Sequence, residues 1–295
     1  MERFEKMGVF LKDAPTDDAV LAFAGHIAKL GVRQVYCIHV HDAAPGGVAI
    51  DPDVSSLEAK IRQTFPAELA EHTKCEVRHG SNLVEVLKAA RDLDMGLIII
   101  GRRLPSSQMS LKYGTARIVR KAPCNVLVVP ELCTPHFSRI LVAVDRSKHA
   151  KLALEAAVDL VKASDNPNAY LTTVSVRNID ARHNLAGATF KDAAEAQRQF
   201  AERDLAQFLA GVDTQGVRME SIVAFSDKTG AAIAHVAMAS KMDILVIGSR
   251  GATKPAAVFL GSKSEDLLMS CTLPTLVVKE KGETLRLIEA IFALD

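Results

Sequence analysis

The feature that most limits how this chain folds is that one pattern is written twice. Across 295 residues, short apolar runs alternate with amphipathic stretches in two successive copies of about 140 residues, the mark of a duplicated folding unit. In the second copy, residues 139–147 (RILVAVDRS) read as a buried strand running out to Asp145. A helical pattern follows through Leu152, Ala156, Leu160 and Val161. Strands are then expected at 170–176, 219–225, 244–247 and in the run PTLVVKE, with helices at about 187–210, 229–240 and 262–270. The first copy repeats the order: MGVFLKD ending in Asp13, a helix through Val20, Phe23, Ile27 and Leu30, then strands at 35–40, CEVRHG, 97–101 and 125–130. Its other expected helices are 55–70 and 82–92.

Apolar runs of strand length between amphipathic helices mean βαβ units and a parallel sheet covered on both faces. The expectation is an α/β chain of two tandem flavodoxin-like domains, each with a five-stranded parallel sheet in the order 3-2-1-4-5. The domains are read as 1–132 and 137–280, joined by a short linker containing Thr134-Pro135 and followed by a C-terminal helix, 281–295. In that strand order strands 1 and 4 are neighbours, the chain reverses direction there, and ligands bind outside their carboxyl ends.

The stretch ILVIGSRGATKPAAVFLGSKS lies at that point of the second copy. A strand ends in Gly248, Gly251 follows, and Gly261-Ser262 leads into a helix that Ser262 can cap, with Glu265 completing a capping box. Strand, glycine loop and helix N-terminus form a geometry that holds phosphate, since glycines admit close backbone approach and the helix start favours anions. Arg250, Lys254 and Lys263 add positive charge. The spacing G-x2-G-x9-G-S is neither the Walker pattern nor G-x-G-x-x-G. Two readings stand: a phosphate loop, or turn glycines with Ser262 as a plain cap.

This spacing resembles the ATP-binding pattern of the universal stress protein family, and the resemblance extends over essentially the whole chain as two tandem copies. It implies an adenine nucleotide alpha hydrolase-like fold and a bound adenine nucleotide (ATP, ADP or AMP, with Mg²⁺ as the accompanying ion). It implies that Asp145 contacts the adenosine end and Val176 packs near the base. Gly248, Arg250, Gly251, Gly261, Ser262 and Ser264 would surround ribose and phosphates. From the residues alone, Asp145 also reads as a helix cap and Val176 as core. In the family the lateral strand mediates dimerisation, so the two halves are expected to pair as an intramolecular pseudo-dimer, with a homodimer of chains beyond it. The implied role is a cytoplasmic stress-response or signalling module.

The first copy departs from the pattern. Gly101, Gly114, Thr115 and Asp13 hold the matching positions, but Leu104 replaces the middle glycine and Ile118 the capping-box acid. A leucine there adds bulk where backbone would approach phosphate and resists positive φ. Arg102, Arg103, Lys112 and Arg117 keep the region basic. A weakened site in a structural or regulatory lobe is expected.

Composition closes off other classes. A net charge of +1 and 5% aromatic residues give neither the electrostatics nor the stacking surface for nucleic acid. No apolar run is long enough for a membrane helix, and MERFEKMGVFLKD lacks a secretory pattern, so a cytoplasmic location is expected. The five scattered cysteines without C-x-x-C read as reduced thiols. His39 and His41 lie two apart on a strand, but further zinc ligands at suitable spacing are not evident. A pyrophosphatase-loop enzyme would carry S-G-G-x-D-S after strand 1, where this chain has Asp145-Arg-Ser-Lys and Asp13-Ala-Pro-Thr. No catalytic residue is assigned; slow ATP hydrolysis from positioning alone and a nucleotide-free scaffold are the competing readings. The tail 282–295, apolar on more than one side, would dock on its own domain or cover a second chain.

Overall fold

The computed structural model describes residues 4–12, 14–29, 31–41, 54–103, 110–164, 166–178, 190–251 and 261–280. Asp13, Leu104, Lys254 and the tail 281–295, all weighed above, lie outside them. The described residues form two compact units, one of residues up to 136 together with 272–280, the other of 137–271.

The first unit runs β1 (Lys6–Leu11), α1 (Asp17–Ala28), β2 (Gln34–His41), α2 (Val54–Thr64), α3 (Ala67–His72), β3 (Lys74–His79), α4 (Asn82–Asp92), β4 (Leu97–Arg102), α5 (Ser110–Lys121) and β5 (Asn125–Pro130). Parallel pairings join β3 to β2, β2 to β1, β1 to β4 and β4 to β5. The central strand β4 explains its place by composition: Leu97, Ile98, Ile99 and Ile100 are all buried, as a strand covered on both faces requires. On α1, Val20, Phe23, Ala24 and Ile27 recur at helical spacing and form its buried stripe. The single helix expected over 55–70 is two helices. Pro66, in extended conformation (φ −53°, ψ 140°), precedes α3; it has no N–H to continue the first helix, and its ring crowds the preceding turn.

The second unit runs β6 (Arg139–Ala143), α6 (Lys148–Lys162), β7 (Tyr170–Arg177), α7 (Phe190–Ala210), β8 (Met219–Phe225), α8 (Thr229–Ala239), β9 (Ile244–Gly248) and α9 (Ser262–Ser270). Its parallel pairings are β8 to β7, β7 to β6 and β6 to β9. The amino ends of β6 and β9 are tied by charge. Asp243 accepts from the Ser138 and Arg139 backbone amides at 3.2 and 2.9 Å and from the Arg139 guanidinium at 2.8 Å. No described helix is long and apolar enough to cross a membrane.

The last strand, β10 (Thr275–Val278), belongs by sequence to the second copy yet lies antiparallel on β5, Thr275 opposite Val128 and Val277 opposite Val126. Two buried polar residues anchor this join. Asn125 donates to Gly96 O at 2.8 Å and accepts from Lys279 N at 2.9 Å. The Lys279 ammonium donates to Ala122 O at 2.7 Å and Arg120 O at 3.2 Å, satisfying carbonyls at the end of α5 that the helix cannot bond internally.

Cys37, Cys75 and Cys124 are free thiols. Burial pushes the Cys124 thiol up to about 12, against a nearby Lys279 charge that acts the other way, and pushes Cys37 further still. In the unfolded chain both thiols ionise near 9.0, so above that pH the folded state holds more protons and stability falls as pH rises. Between pH 9 and 11 each thiol should cost up to about 1.4 kcal/mol per pH unit. Urea unfolding across that range should show the decline, and it should be smaller in a chain carrying Cys37→Ala and Cys124→Ala.

Candidate functional site

Strands β6 and β9 are in parallel register, Ala143 beside Ile247, so their carboxyl ends open at the same edge of the second unit. β6 stops at Ala143, and pairing continues one step further, with Val144 N donating to Val174 O at 2.9 Å. Asp145 follows in the loop, and Arg146 takes a left-handed φ of 66°, which turns the chain into α6. The cap of α6 is Ser147, whose Oγ accepts from Ala150 N at 3.0 Å. Asp145 is therefore not the cap; its Oδ1 accepts from Ser147 N at 3.1 Å.

The glycines of the loop serve close approach. A β carbon on Gly248 would stand 2.7 Å from the His149 carbonyl carbon and 2.8 Å from its oxygen. One on Gly251 would stand 2.7 Å from Asp145 Oδ2, while one on Gly261 would meet nothing nearer than 3.7 Å among the described residues. None of the three has a positive φ; close approach is what Gly248 and Gly251 supply. Three hydrogen bonds close the loop: Gly261 N to Ser249 O at 2.9 Å, Ser264 Oγ to Gly248 O at 3.2 Å and Ser147 Oγ to Arg250 O at 3.3 Å.

At the start of α9 the structure corrects one detail. Gly261, extended at φ −65° and ψ 145°, is the N-cap and makes no side-chain cap bond; Ser262 is already the first helical residue. Glu265 N bonds the Gly261 carbonyl. A capping box needs the cap residue itself to carry a hydroxyl, and glycine has none.

Between these pieces lies a cavity of about 340 Å³, in the range of small-molecule sites. Asp145, Val176, Gly248, Arg250, Gly251, Gly261 and Ser264 all line it. The sequence reading missed Arg146, Arg177, Thr229, Ile233 and Leu267, which line it as well. Most of these stand at the carboxyl ends of strands or the starts of helices, so the expected strand order was the signal that could have found them. Arg146 donates to Asp204 Oδ1 at 2.8 Å, and Arg177 pairs with the other oxygen of the same carboxylate. Asp204, on α7, thereby fastens that helix to the pocket rim.

The first unit does not repeat this junction. Gly101 lies in β4, and a β carbon there would meet Thr16 Oγ1 at 2.2 Å. Gly114 and Thr115, however, are the fifth and sixth residues of α5, which begins at Ser110. Their amides fall to the helix's own i−4 carbonyls and do not face a ligand from a helix start. His39, His41 and His79 gather at one end of β2 and β3, with ring centroids 6.3 and 5.9 Å apart in sequence. Among the described residues no group of three or more His, Cys, Asp or Glu is arranged to hold a metal ion.

The model of the universal stress protein family matches residues 3–130 and 136–279. The chain belongs to the universal stress protein family. A curated relative from Thermus aquaticus, "Universal stress protein in QAH/OAS sulfhydrylase 3'region", is 29% identical over 143 residues, 48% of this chain and 99% of the relative. Two solved structures share the fold over nearly the full length. A universal stress protein from Archaeoglobus fulgidus aligns with a TM-score of 0.63 and 20% identity, over 94% of this chain and 97% of the other. A putative universal stress protein from Pseudomonas aeruginosa aligns with a TM-score of 0.66 and 17% identity, over 97% of each.

The three glycines should respond differently to alanine. Gly248→Ala drives a methyl into backbone and should cost about 2–3 kcal/mol, within the range for overpacking. Gly251→Ala displaces only a carboxylate end, and Gly261→Ala meets ordinary contacts, so both should stay within about 1 kcal/mol of the parent, allowing for the loss of glycine's unfolded-state entropy. Urea unfolding of the three variants checks this ranking.

Proposed function

We propose that the second unit of this universal stress protein binds an adenine nucleotide, with ATP, ADP and AMP as the candidate ligands, and works as a stress-response or signalling module. The observation that carries the reading is the close approach of Gly251 to Asp145 at the wall of a cavity that also includes the start of α9. Gly261, Ser262 and Ser264 place the first turn of α9 at the phosphate end, where unpaired amides and the helix dipole attract anions. Arg250, which is buried, adds charge there. Val176, Ile233 and Leu267 give an apolar slot of the kind that takes a planar base. Asp145 serves the nucleoside, and any Mg²⁺ would ride on the phosphates.

The first unit is assigned a structural or regulatory part, because Gly114 and Thr115 lie inside α5. The antiparallel register of β10 on β5 supports pairing of the two repeats' lateral strands as a pseudo-dimer, and further pairing of whole chains is proposed with it. Free thiols accord with a cytoplasmic location. No residue is assigned as a catalytic base; turnover, if measured as phosphate release, should be slow.

Isothermal titration of ATP, with and without Mg²⁺, on protein first cleared of carried-over nucleotide should give one site per chain. Gly261→Val, chosen because space surrounds that position, should fold by circular dichroism and bind at least about tenfold more weakly, the effect of losing about 1.4 kcal/mol. Two sites would overturn the assignment of the first unit. No binding would overturn the nucleotide reading in favour of a scaffold.

A further inference from the structure

Most polar side chains around the second-unit pocket are already committed within the protein. Ser147 and Ser264 direct their hydroxyls to the carbonyls of Arg250 and Gly248. Asp145 accepts from the Ser147 amide, and Arg146 and Arg177 share Asp204. Thr229 is different. Its Oγ1 is buried and has no hydrogen-bond partner among the described residues, yet the residue lines the cavity.

A buried hydroxyl without a partner is destabilising, because it has given up water and gained nothing in return. Such a group in a cavity wall is accounted for by a ligand that completes it. The hydroxyl does not sit at the cap position either: Lys228 is the N-cap of α8 and Thr229 its first helical residue. Its neighbourhood gives the part of the ligand it meets. The next residue, Gly230, packs on the Leu267 backbone, well into α9 and beyond its anion-attracting first residues. Ser226 N, just before α8, bonds Arg177 O at 2.9 Å, which sets this corner beside the end of β7 and Val176. Thr229 thus belongs to the apolar wall of the slot and not to the glycine loop.

Resting on the nucleotide reading of this pocket, we propose that Thr229 is a specificity-determining residue whose hydroxyl hydrogen-bonds the nucleoside portion of the ligand. The hydroxyl both donates and accepts, so it can meet either polar character on a base edge or sugar. In an otherwise apolar wall, that one bond favours ligands that make it over ligands that leave it unmade.

The test uses Thr229→Val, which keeps the shape and removes the hydroxyl, and Thr229→Ser, which keeps the hydroxyl. ATP and AMP are titrated into the full chain and both variants, and thermal unfolding is followed without ligand. The valine variant should bind both nucleotides about three- to tenfold more weakly, the worth of one hydrogen bond, and serine should restore most of the loss. The ligand-free valine variant should unfold at the same temperature as the parent or higher, since it loses an unsatisfied polar group. Undiminished binding by the valine variant, a loss seen with ATP but not AMP, or a lowered unfolding temperature without ligand would each overturn the proposal. A parent chain that binds neither nucleotide would overturn the nucleotide reading itself, and this inference with it.

Discussion

The second unit depends on two close approaches, one onto backbone and one onto the end of a side chain. Gly248 rests against the His149 backbone, and Gly251 against the Asp145 carboxylate, each with less than 3 Å for a β carbon. These contacts bring the loop after β9 onto the turn after β6, so a strand pairing in the middle of the sheet becomes a pocket wall at its edge. The Ser147–Arg250 and Ser264–Gly248 hydrogen bonds then hold the two segments together. A β carbon at Gly248 would push them apart at the root, whereas Gly261 is needed for what it leaves open and not for what it touches.

The two repeats share a sheet plan and differ in one helix boundary. In the second, α9 starts directly after Gly261, leaving its first amides at the pocket. In the first, α5 has begun four residues before the matching glycine, and the equivalent amides are bonded within the helix. The first unit has gained something else at that helix. Its carboxyl end is satisfied by Lys279, which directly follows β10, a cation where the helix dipole favours one. One copy thus leaves a helix start at the pocket, while α5 of the other serves the join with β10.

Much of this was legible in the residues. The repeat, the strand and helix alternation and the spacing of Gly248, Gly251 and Gly261 depend on local periodicity and turn chemistry, which sequence displays directly. What stayed hidden depends on long-range packing. Pro66 was a visible break that helical periodicity on either side obscured. The start of α5 could not be read because the glycine spacing suggested a junction that the helix overrides. The Arg146–Asp204–Arg177 linkage joins side chains far apart in sequence, and Thr229 carries no motif at all; only its unpartnered hydroxyl in a pocket wall distinguishes it.

The central claim is that the chain keeps one nucleotide site, in the second unit, and that the first has lost its own through the position of α5. The most direct measurement is a crystal structure of the chain grown with a non-hydrolysable ATP analogue. The account predicts density for the analogue in the second unit alone, phosphates against the first turn of α9 and base along Val176. Density for a nucleotide in the first unit, or a second-unit pocket that stays without it at saturating analogue, would contradict the account.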